Sequence, residues 1–288
     1  MPELPEVEVV KKSLEKKICN LIVKDIKINV SKLRYKLKIR QINQLKEKKI
    51  ISINRRSKFL LFKFEKNLSL IAHLGMTGKF FYINKNNLKE KTSFYYRLDS
   101  KLDKHDHVIF IFKDKSKLIY NDVRKFGFME VASTNKLKEV PHLKNLGPEP
   151  LNYSFNFQYF KKYLSGRDRL VKELLMDQKF VSGIGNIYAN EILFSCKIKP
   201  TKNITKLKNI EIKRIIKFTK KILQKAIFYG GSSIKDFSYD NDKTGLFQQK
   251  FNVYGRSGQK CSNADCKQKI FKIKMFNRAS FFCKKCQK

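Results

Sequence analysis

The hydrophobic period of this chain changes once, and the change divides it. Up to about residue 133, apolar and polar residues alternate with period two in short runs rich in β-branched and aromatic side chains, at 22–30, 50–64, 68–83, 94–99, 107–113, 117–121 and 128–132. A tight turn at Asp114 to Lys117 joins two of these runs. Seven strands at such spacing predict an all-β sandwich or a barrel. Beyond residue 150 the spacing becomes helical, over 154–164, 168–177, 187–195 and 206–229. The stretch between, 134–150, contains Pro141, Gly147, Pro148 and Pro150, fits neither period, and is expected to be a linker. With 288 residues, 42% of them apolar, the chain can bury a core on each side of that break.

Ahead of the first strand stands MPELPEVE at 1–8, followed by a helical stretch over 6–18 with Val7, Val10, Leu14 and Ile18 on one face. Two prolines can simply stiffen an extended terminus before a helix. Pro2 has a second capacity, because removal of Met1 leaves it a free secondary amine. At pH 7 on the order of 10% of an α-amino group is neutral, against about 0.04% of a lysine. A neutral amine can attack a sugar's anomeric carbon and become an iminium ion. Glu3 and Glu6, beside it, could act as acid and base.

Composition limits the partner. There are 64 Lys and Arg against 25 Asp and Glu, a formal net charge of +39, which points to a polyanion. Only 11 of the 64 basic residues are arginine, so a position that keeps arginine is expected to need its planar fork. Charge begins at Glu3 with no apolar run behind it, and no run reaches membrane-spanning length. A soluble, intracellular protein with no membrane partner is therefore expected. Cys19 and Cys196 stand apart and are expected to be inert buried thiols in a reducing compartment.

The other four cysteines form two pairs, Cys261 and Cys266 with four residues between them and Cys283 and Cys286 with two, separated by sixteen. This is the spacing of two thiolate knuckles around one tetrahedral zinc ion on a β-hairpin. Four sulfur ligands leave no open position, so the zinc is expected to be structural. Arg278, between the pairs, could offer its fork to a phosphate or could be a solvated surface charge. Upstream, Gly183-Ile184-Gly185-Asn186 allows a tight turn, with Asn186 placed to cap the next helix. Such a helix start is either a plain connector or an anion site.

Eight motifs occur in one order: MPELPEVE at the start, HLGMTGKF at 73–80, HDHV at 105–108, DVRKFG at 122–127, LGPEPL at 146–151, GIGNIYANE at 183–191, VYGRSG at 253–258, and the cysteine pairs. Together they closely resemble the bacterial formamidopyrimidine-DNA glycosylases, over almost the whole chain. The resemblance implies an α+β multidomain protein. A leading helix and N-terminal β-sandwich would fill 1–133, a linker 134–150, a helix-two-turn-helix module with a lesion-recognition loop 151–250, and a zinc finger 251–288. It implies a monomeric, cytoplasmic base-excision enzyme acting on double-stranded DNA that contains oxidised purines. Such an enzyme removes 8-oxoguanine and formamidopyrimidines and then nicks the strand as an AP lyase.

By the same resemblance Pro2 is the nucleophile, Glu3 and Glu6 are catalytic carboxylates, and Lys58 is the catalytic lysine. Met76, Arg124 and Phe126 would fill the gap left by an extruded nucleotide, although Met76 and Phe126, by type alone, also suit a core. His73 and His105 fall in DNA-contacting motifs. Asn186 and Arg278 would hold phosphates, the four cysteines would hold structural zinc, and Lys172 occupies a lysine position with no assigned role. The chain departs from the family at Ser57 and Asn277, where glycine is usual, and in the wider first cysteine knuckle. Residues 231–250 correspond to a loop that closes over the flipped base. Two other readings are an endonuclease VIII-like glycosylase for oxidised pyrimidines, and a non-catalytic, zinc-stabilised DNA-binding protein.

Overall fold

The structure, a computed structural model, describes residues 1–93, 103–231 and 250–288. The strand expected at 94–99 and nearly all of the loop expected at 231–250 lie outside them. The chain divides into two compact units. The first holds residues 1–144 together with Gly230 and Gly231, and the second holds 145–229 and 250–288.

The first unit begins with α1 (Leu4–Ile18), whose Val7, Val10, Leu14 and Ile18 are all fully buried. It starts two residues earlier than the hydrophobic period suggests, with Pro5 inside its first turn. Proline is tolerated there because first-turn N–H groups have no intrahelical partner. There follow β1 (Val23–Ile28), the short α2 (Ile39–Asn43), β2 (Ile50–Arg56), β3 (Phe59–Phe64), β4 (Leu68–His73), β5 (Lys79–Ile83), β6 (Lys89–Lys91), β7 (Asp106–Phe112), β8 (Lys117–Asn121) and β9 (Phe128–Ser133). The runs at 50–64 and 68–83 are thus two strands each. The first break falls in the unbroken polar run Asn54 to Lys58 and the second holds Gly75 and Gly78, so both carry turn residues that the longer expected runs span.

All pairings among these strands are antiparallel, in a five-stranded sheet ordered β1-β7-β8-β5-β6 and a four-stranded sheet ordered β2-β3-β4-β9. One core joins them: Ile53, Leu60, Phe62 and Leu70 from the smaller sheet pack with Phe80, Phe110, Phe112 and Tyr120 from the larger. The rings of Phe62 and Phe80 meet edge to face at 5.6 Å. This is a sandwich, with α1 contributing to the same core. Each large side chain so buried stabilises by about 1.5–3 kcal/mol. Segment 134–144 forms a 3-10 turn and the short α3 (Pro141–Lys144).

The second unit contains α4 (Phe157–Leu164), α5 (Val171–Met176), α6 (Asn186–Ser195) and α7 (Asn209–Phe228), then a hairpin of β10 (Phe271–Met275) and β11 (Arg278–Phe282). Helix α6 is apolar nearly all round, with Ile187 to Phe194 buried without a break. A helix of that kind has to be enclosed, and here α5, α7 and β11 surround it.

Candidate active site and nucleic-acid interface

In the first unit the N-terminus of α1 collects the two carboxylates. Pro2 is buried, and Glu3, the N-cap, has extended backbone and 3% exposure. The Glu3 N–H donates to Glu6 Oε2 at 2.9 Å, part of a capping box. Glu6 is itself 1% exposed. Helix-start amides and the helix dipole therefore support carboxylates that burial alone would disfavour. Gly231 lies against this corner with φ +83°, and a Cβ there would stand 3.2 Å from Glu6 Oε1. Only glycine meets both demands without strain.

Lys58 is buried, in a two-residue connection between β2 and β3. Its neighbour Ser57 is also buried and has φ +55°, the left-handed conformation at the position where tight hairpin turns favour glycine. The family's usual glycine has its reason here, and serine pays about 1–2 kcal/mol for the same conformation. Arg55 ties the turn to the helix. Its Nε donates to Glu8 Oε2 at 2.6 Å and its Nη1 to the Ser57 carbonyl at 2.9 Å. One guanidinium thus joins the turn that carries Lys58 to the helix that follows Pro2.

Two loops carry the expected gap-filling side chains and meet backbone to backbone. Gly75 in the first, at φ +60°, leaves no room for a Cβ, which would fall 2.4 Å from Gly127 N. Gly127 is likewise blocked by the Tyr120 hydroxyl and the His73 carbonyl. Asp122, fully buried, accepts from the Thr77 hydroxyl, from Gly127 N at 2.8 Å and from Tyr120 Oη at 3.2 Å. Thr77 Oγ1 in turn accepts from Arg124 N at 3.1 Å. On this base Met76 is half-buried while Arg124 and Phe126 are exposed, the guanidinium lying 4.5 Å over the Phe126 ring. Met76 and Phe126 are therefore not fully enclosed core residues.

The two expected histidines differ in placement. His73 ends β4 and stacks on Phe128 at 5.7 Å, and its Nδ1 accepts from Gly75 N at 3.0 Å. Burial, then the cations of Lys58 and Arg34, push its pKa down to about 3, so the ring is neutral. His105 is half-buried just before β7, and its carbonyl accepts from Asp122 N at 3.1 Å. Burial and the neighbouring Lys104 lower its pKa as well. His107, whose type and place in the sequence suggest no role, lies beneath the second loop, 2% exposed, with Nε2 2.8 Å from the Asp122 carbonyl oxygen.

In the second unit, Asn186 is the first residue of α6, and the cap position belongs to Gly185, in extended backbone. This corrects the expected cap. The Asn186 amide instead donates to the Ala279 carbonyl on the finger hairpin at 3.0 Å. Lys172, 1% exposed, reaches the same carbonyl at 3.2 Å and the Ser280 hydroxyl. Asn190 accepts from Phe281 N at 2.7 Å, and Glu191 accepts from the N–H groups of Asn252, Val253 and Tyr254, each at 2.9 Å. The polar residues of GIGNIYANE thus hold the finger onto the helix. Arg278 opens β11 and is exposed.

The four cysteine sulfurs lie within 4.8 Å of one another, the single such cluster among the described residues. Cys261 and Cys286 are 3.9 Å apart, and Cys266 and Cys283 3.6 Å. Tetrahedral zinc with Zn–S bonds of about 2.3 Å requires sulfur–sulfur edges of about 3.8 Å. The four-residue knuckle accommodates this by a turn in which Cys266 N donates to the Asn263 carbonyl at 3.0 Å. The donor set therefore suits a metal ion. Of the two remaining cysteines, Cys196 is fully buried and Cys19 half-buried, and burial raises both thiols. Among the described residues no helix is long and apolar enough to cross a membrane.

A sandwich with a carboxylate-rich terminus, a helical module and a four-cysteine finger is also what known sequences and structures match. The family model described as Formamidopyrimidine-DNA glycosylase N-terminal domain matches residues 1–129, and that of the Formamidopyrimidine-DNA glycosylase H2TH domain matches 146–238. The combination defines a DNA glycosylase of base-excision repair. Curated relatives named Formamidopyrimidine-DNA glycosylase include one from Rickettsia bellii, 43% identical over 288 residues with both chains fully covered. Another, from Rickettsia canadensis, is 41% identical with 100% of this chain and 99% of the relative covered. A Lactococcus lactis Fpg variant bound to Fapy-dG-containing DNA superposes with TM-score 0.86 at 36% identity over 100% of each chain. The wild-type L. lactis protein with DNA containing an oxidised pyrimidine gives 0.84 at 36%, again over 100% of each. The chain belongs to the formamidopyrimidine-DNA glycosylase family.

Proposed function

We propose that this enzyme excises oxidised purines, 8-oxoguanine and formamidopyrimidines, from double-stranded DNA and then nicks the abasic site. With Met1 removed, the Pro2 nitrogen attacks C1′ of the damaged nucleotide as the glycosidic bond breaks, and the base leaves with a proton. The new C1′–N linkage gives up the proton on its nitrogen, the ring oxygen O4′ takes one as the C1′–O4′ bond breaks, and the nitrogen lone pair forms the C1′=N iminium ion. The iminium acidifies C2′–H, so β-elimination releases the 3′ phosphate and δ-elimination the 5′ phosphate. Glu3 handles protons at the sugar and Glu6 holds the Glu3 backbone in place. Lys58 supplies positive charge for a flanking phosphate.

Met76, Arg124 and Phe126 fill the space of the extruded nucleotide, which costs a few kcal/mol to flip. His73, His105, Asn186 and Arg278 contribute to the DNA-binding surface. Zinc on Cys261, Cys266, Cys283 and Cys286 fixes the finger and takes no part in the reaction. Residues 1–133, 151–250 and 251–288 act as catalytic domain, helix-two-turn-helix module with lesion loop, and finger, joined through 134–150. A monomer suffices, and the cytoplasm is its compartment.

The observation that carries this reading is the pair of buried, helix-start carboxylates beside Pro2, joined through Arg55 to the turn of Lys58. A non-catalytic DNA-binding protein has no use for that arrangement. The test is borohydride trapping on duplexes carrying one 8-oxoguanine or one oxidised pyrimidine, with Pro2→Gly beside the wild type and the N-terminus checked by mass. A trapped band on 8-oxoguanine that is lost in the variant is expected. Preferential trapping on the pyrimidine would move the protein to the endonuclease VIII-like reading. No band on any duplex, from a protein that begins at Pro2, would refute the lyase chemistry.

A further inference from the structure

The finger hairpin turns through two residues, Phe276 and Asn277, between the paired Met275 and Arg278. Both are left-handed, at φ +49° and +58°. Asparagine accepts that conformation readily, whereas a bulky aromatic residue does so only against steric repulsion. Burial does not compensate Phe276, which is 55% exposed. Among the described residues its ring has no stacking or cation–π partner. The position thus carries a residue that is poor for the turn and poor for solvent.

Its surroundings indicate what the ring meets. Phe276 lines a shallow groove of the second unit with Arg278, Lys179, Met176, Arg169 and the acids Glu173 and Asp177. Arg169 is paired with Glu173 and Asp177, each at 2.8 Å. Arg278 and Lys179 are exposed and form no ion pair among the described residues. An aromatic ring in one groove with two cations that form no ion pair suits the alternation of apolar sugar and anionic phosphate along a nucleic-acid strand.

We propose that Phe276 is a DNA-contacting residue of the finger, packing its ring on the deoxyribose next to the phosphate that Arg278 holds. This rests on the DNA-binding reading given above and adds to it a contact carried by no charge. Local strain in the free protein is kept because the ring is displayed where the duplex passes.

Phe276→Asn and Phe276→Gly separate the two effects, since both residues relieve the turn and remove the ring. Each variant is expected to melt about 2–4 °C higher than the wild type. Each should bind a duplex with a tetrahydrofuran abasic analogue about five- to tenfold more weakly by fluorescence anisotropy, the low end for an aromatic platform. The dependence of log K on log salt should keep its slope, because no cation is lost, whereas Arg278→Ala should make it shallower. Variants that bind as tightly as the wild type, or that melt lower, would overturn the assignment. A wild-type protein that does not bind the duplex would instead overturn the DNA-binding reading beneath it.

Discussion

Replacing Glu191 tests how the finger is held. Its carboxylate is 2% exposed and accepts three backbone N–H groups, from Asn252, Val253 and Tyr254, and the Asn252 side-chain amide at 3.1 Å. In Glu191→Ala these donors lose their acceptor. Val253 is fully buried and cannot turn to water, so its N–H should cost about 2 kcal/mol, while the half-buried Asn252 and Tyr254 cost about 1 kcal/mol each. The sum, about 4 kcal/mol, is a large part of the 5–15 kcal/mol that separates folded from unfolded states and should lower Tm by about 8–16 °C. Glu191→Gln keeps one oxygen for Val253 and Tyr254 and sets an amide against the two Asn252 donors, for a loss of about 2 kcal/mol. Denaturant melts should therefore rank wild type, Gln, Ala. Release of the zinc proposed for the four cysteines to a colorimetric chelator should accelerate in the same order. If both variants melt within about 1 kcal/mol of the wild type, water satisfies these N–H groups and the carboxylate does not clamp the finger.

His73 keeps a folded pKa of about 3 against an ordinary value near 6.5. Unfolding takes up a proton between those values, so its contribution is whole above pH 6.5 and is lost as pH falls toward 3, by at most about 1.4 kcal/mol per unit. His73→Gln should flatten that part of the stability profile, and an unchanged slope would exclude the ring as its source. Gly231→Ala should slow borohydride trapping about tenfold while leaving duplex affinity nearly intact, because a methyl at φ +83° pushes on Glu6. Normal trapping kinetics would show that this corner yields freely. Arg55→Met should leave affinity within about twofold and reduce the trapping rate about tenfold or more, since Lys58 loses its tie to α1. A matching loss of affinity would assign Arg55 to DNA binding instead.

Parts of this architecture were legible from pattern, and others depended on packing that no pattern encodes. The buried face of α1 and the cysteine cluster follow from spacing, because helix period and metal geometry are local constraints. The breaks at Ser57-Lys58 and Leu74 to Gly78 carry a polar run and two glycines, but strand period does not say whether such a stretch turns the chain or continues it, and here the chain turns at one and changes sheet at the other. Among the described arginines Arg55, Arg169 and Arg256 each use more than one guanidinium nitrogen, whereas Arg167 bonds through Nη1 alone and the buried Arg214 Nε has no hydrogen-bond partner, so a retained arginine does not by itself mark a fork in use. Glu191 and His107 were missed for a common reason. Their partners, Asn252 to Tyr254 and Asp122, lie 61 or more and 15 residues away in sequence, where composition offers no cue. Asn186 has the capping tendency of its type, but its amide finds the hairpin carbonyl of Ala279, and tertiary geometry overrides local preference.

The two loops that carry Met76, Arg124 and Phe126 touch through glycine and main chain, with Asp122 fastening them from below. Their pitch is consequently set by atoms common to every amino acid. The three tips behave like interchangeable bits on one fixed tool head. A new side chain at Met76 leaves the two loop backbones in place, Arg124 and Phe126 are coupled through the guanidinium that lies over the ring, and one methyl at Gly75 or Gly127 presses on the shared main chain. In the proposed role of these tips, a change in what they meet can come from their side chains alone, provided the glycine seam stays bare.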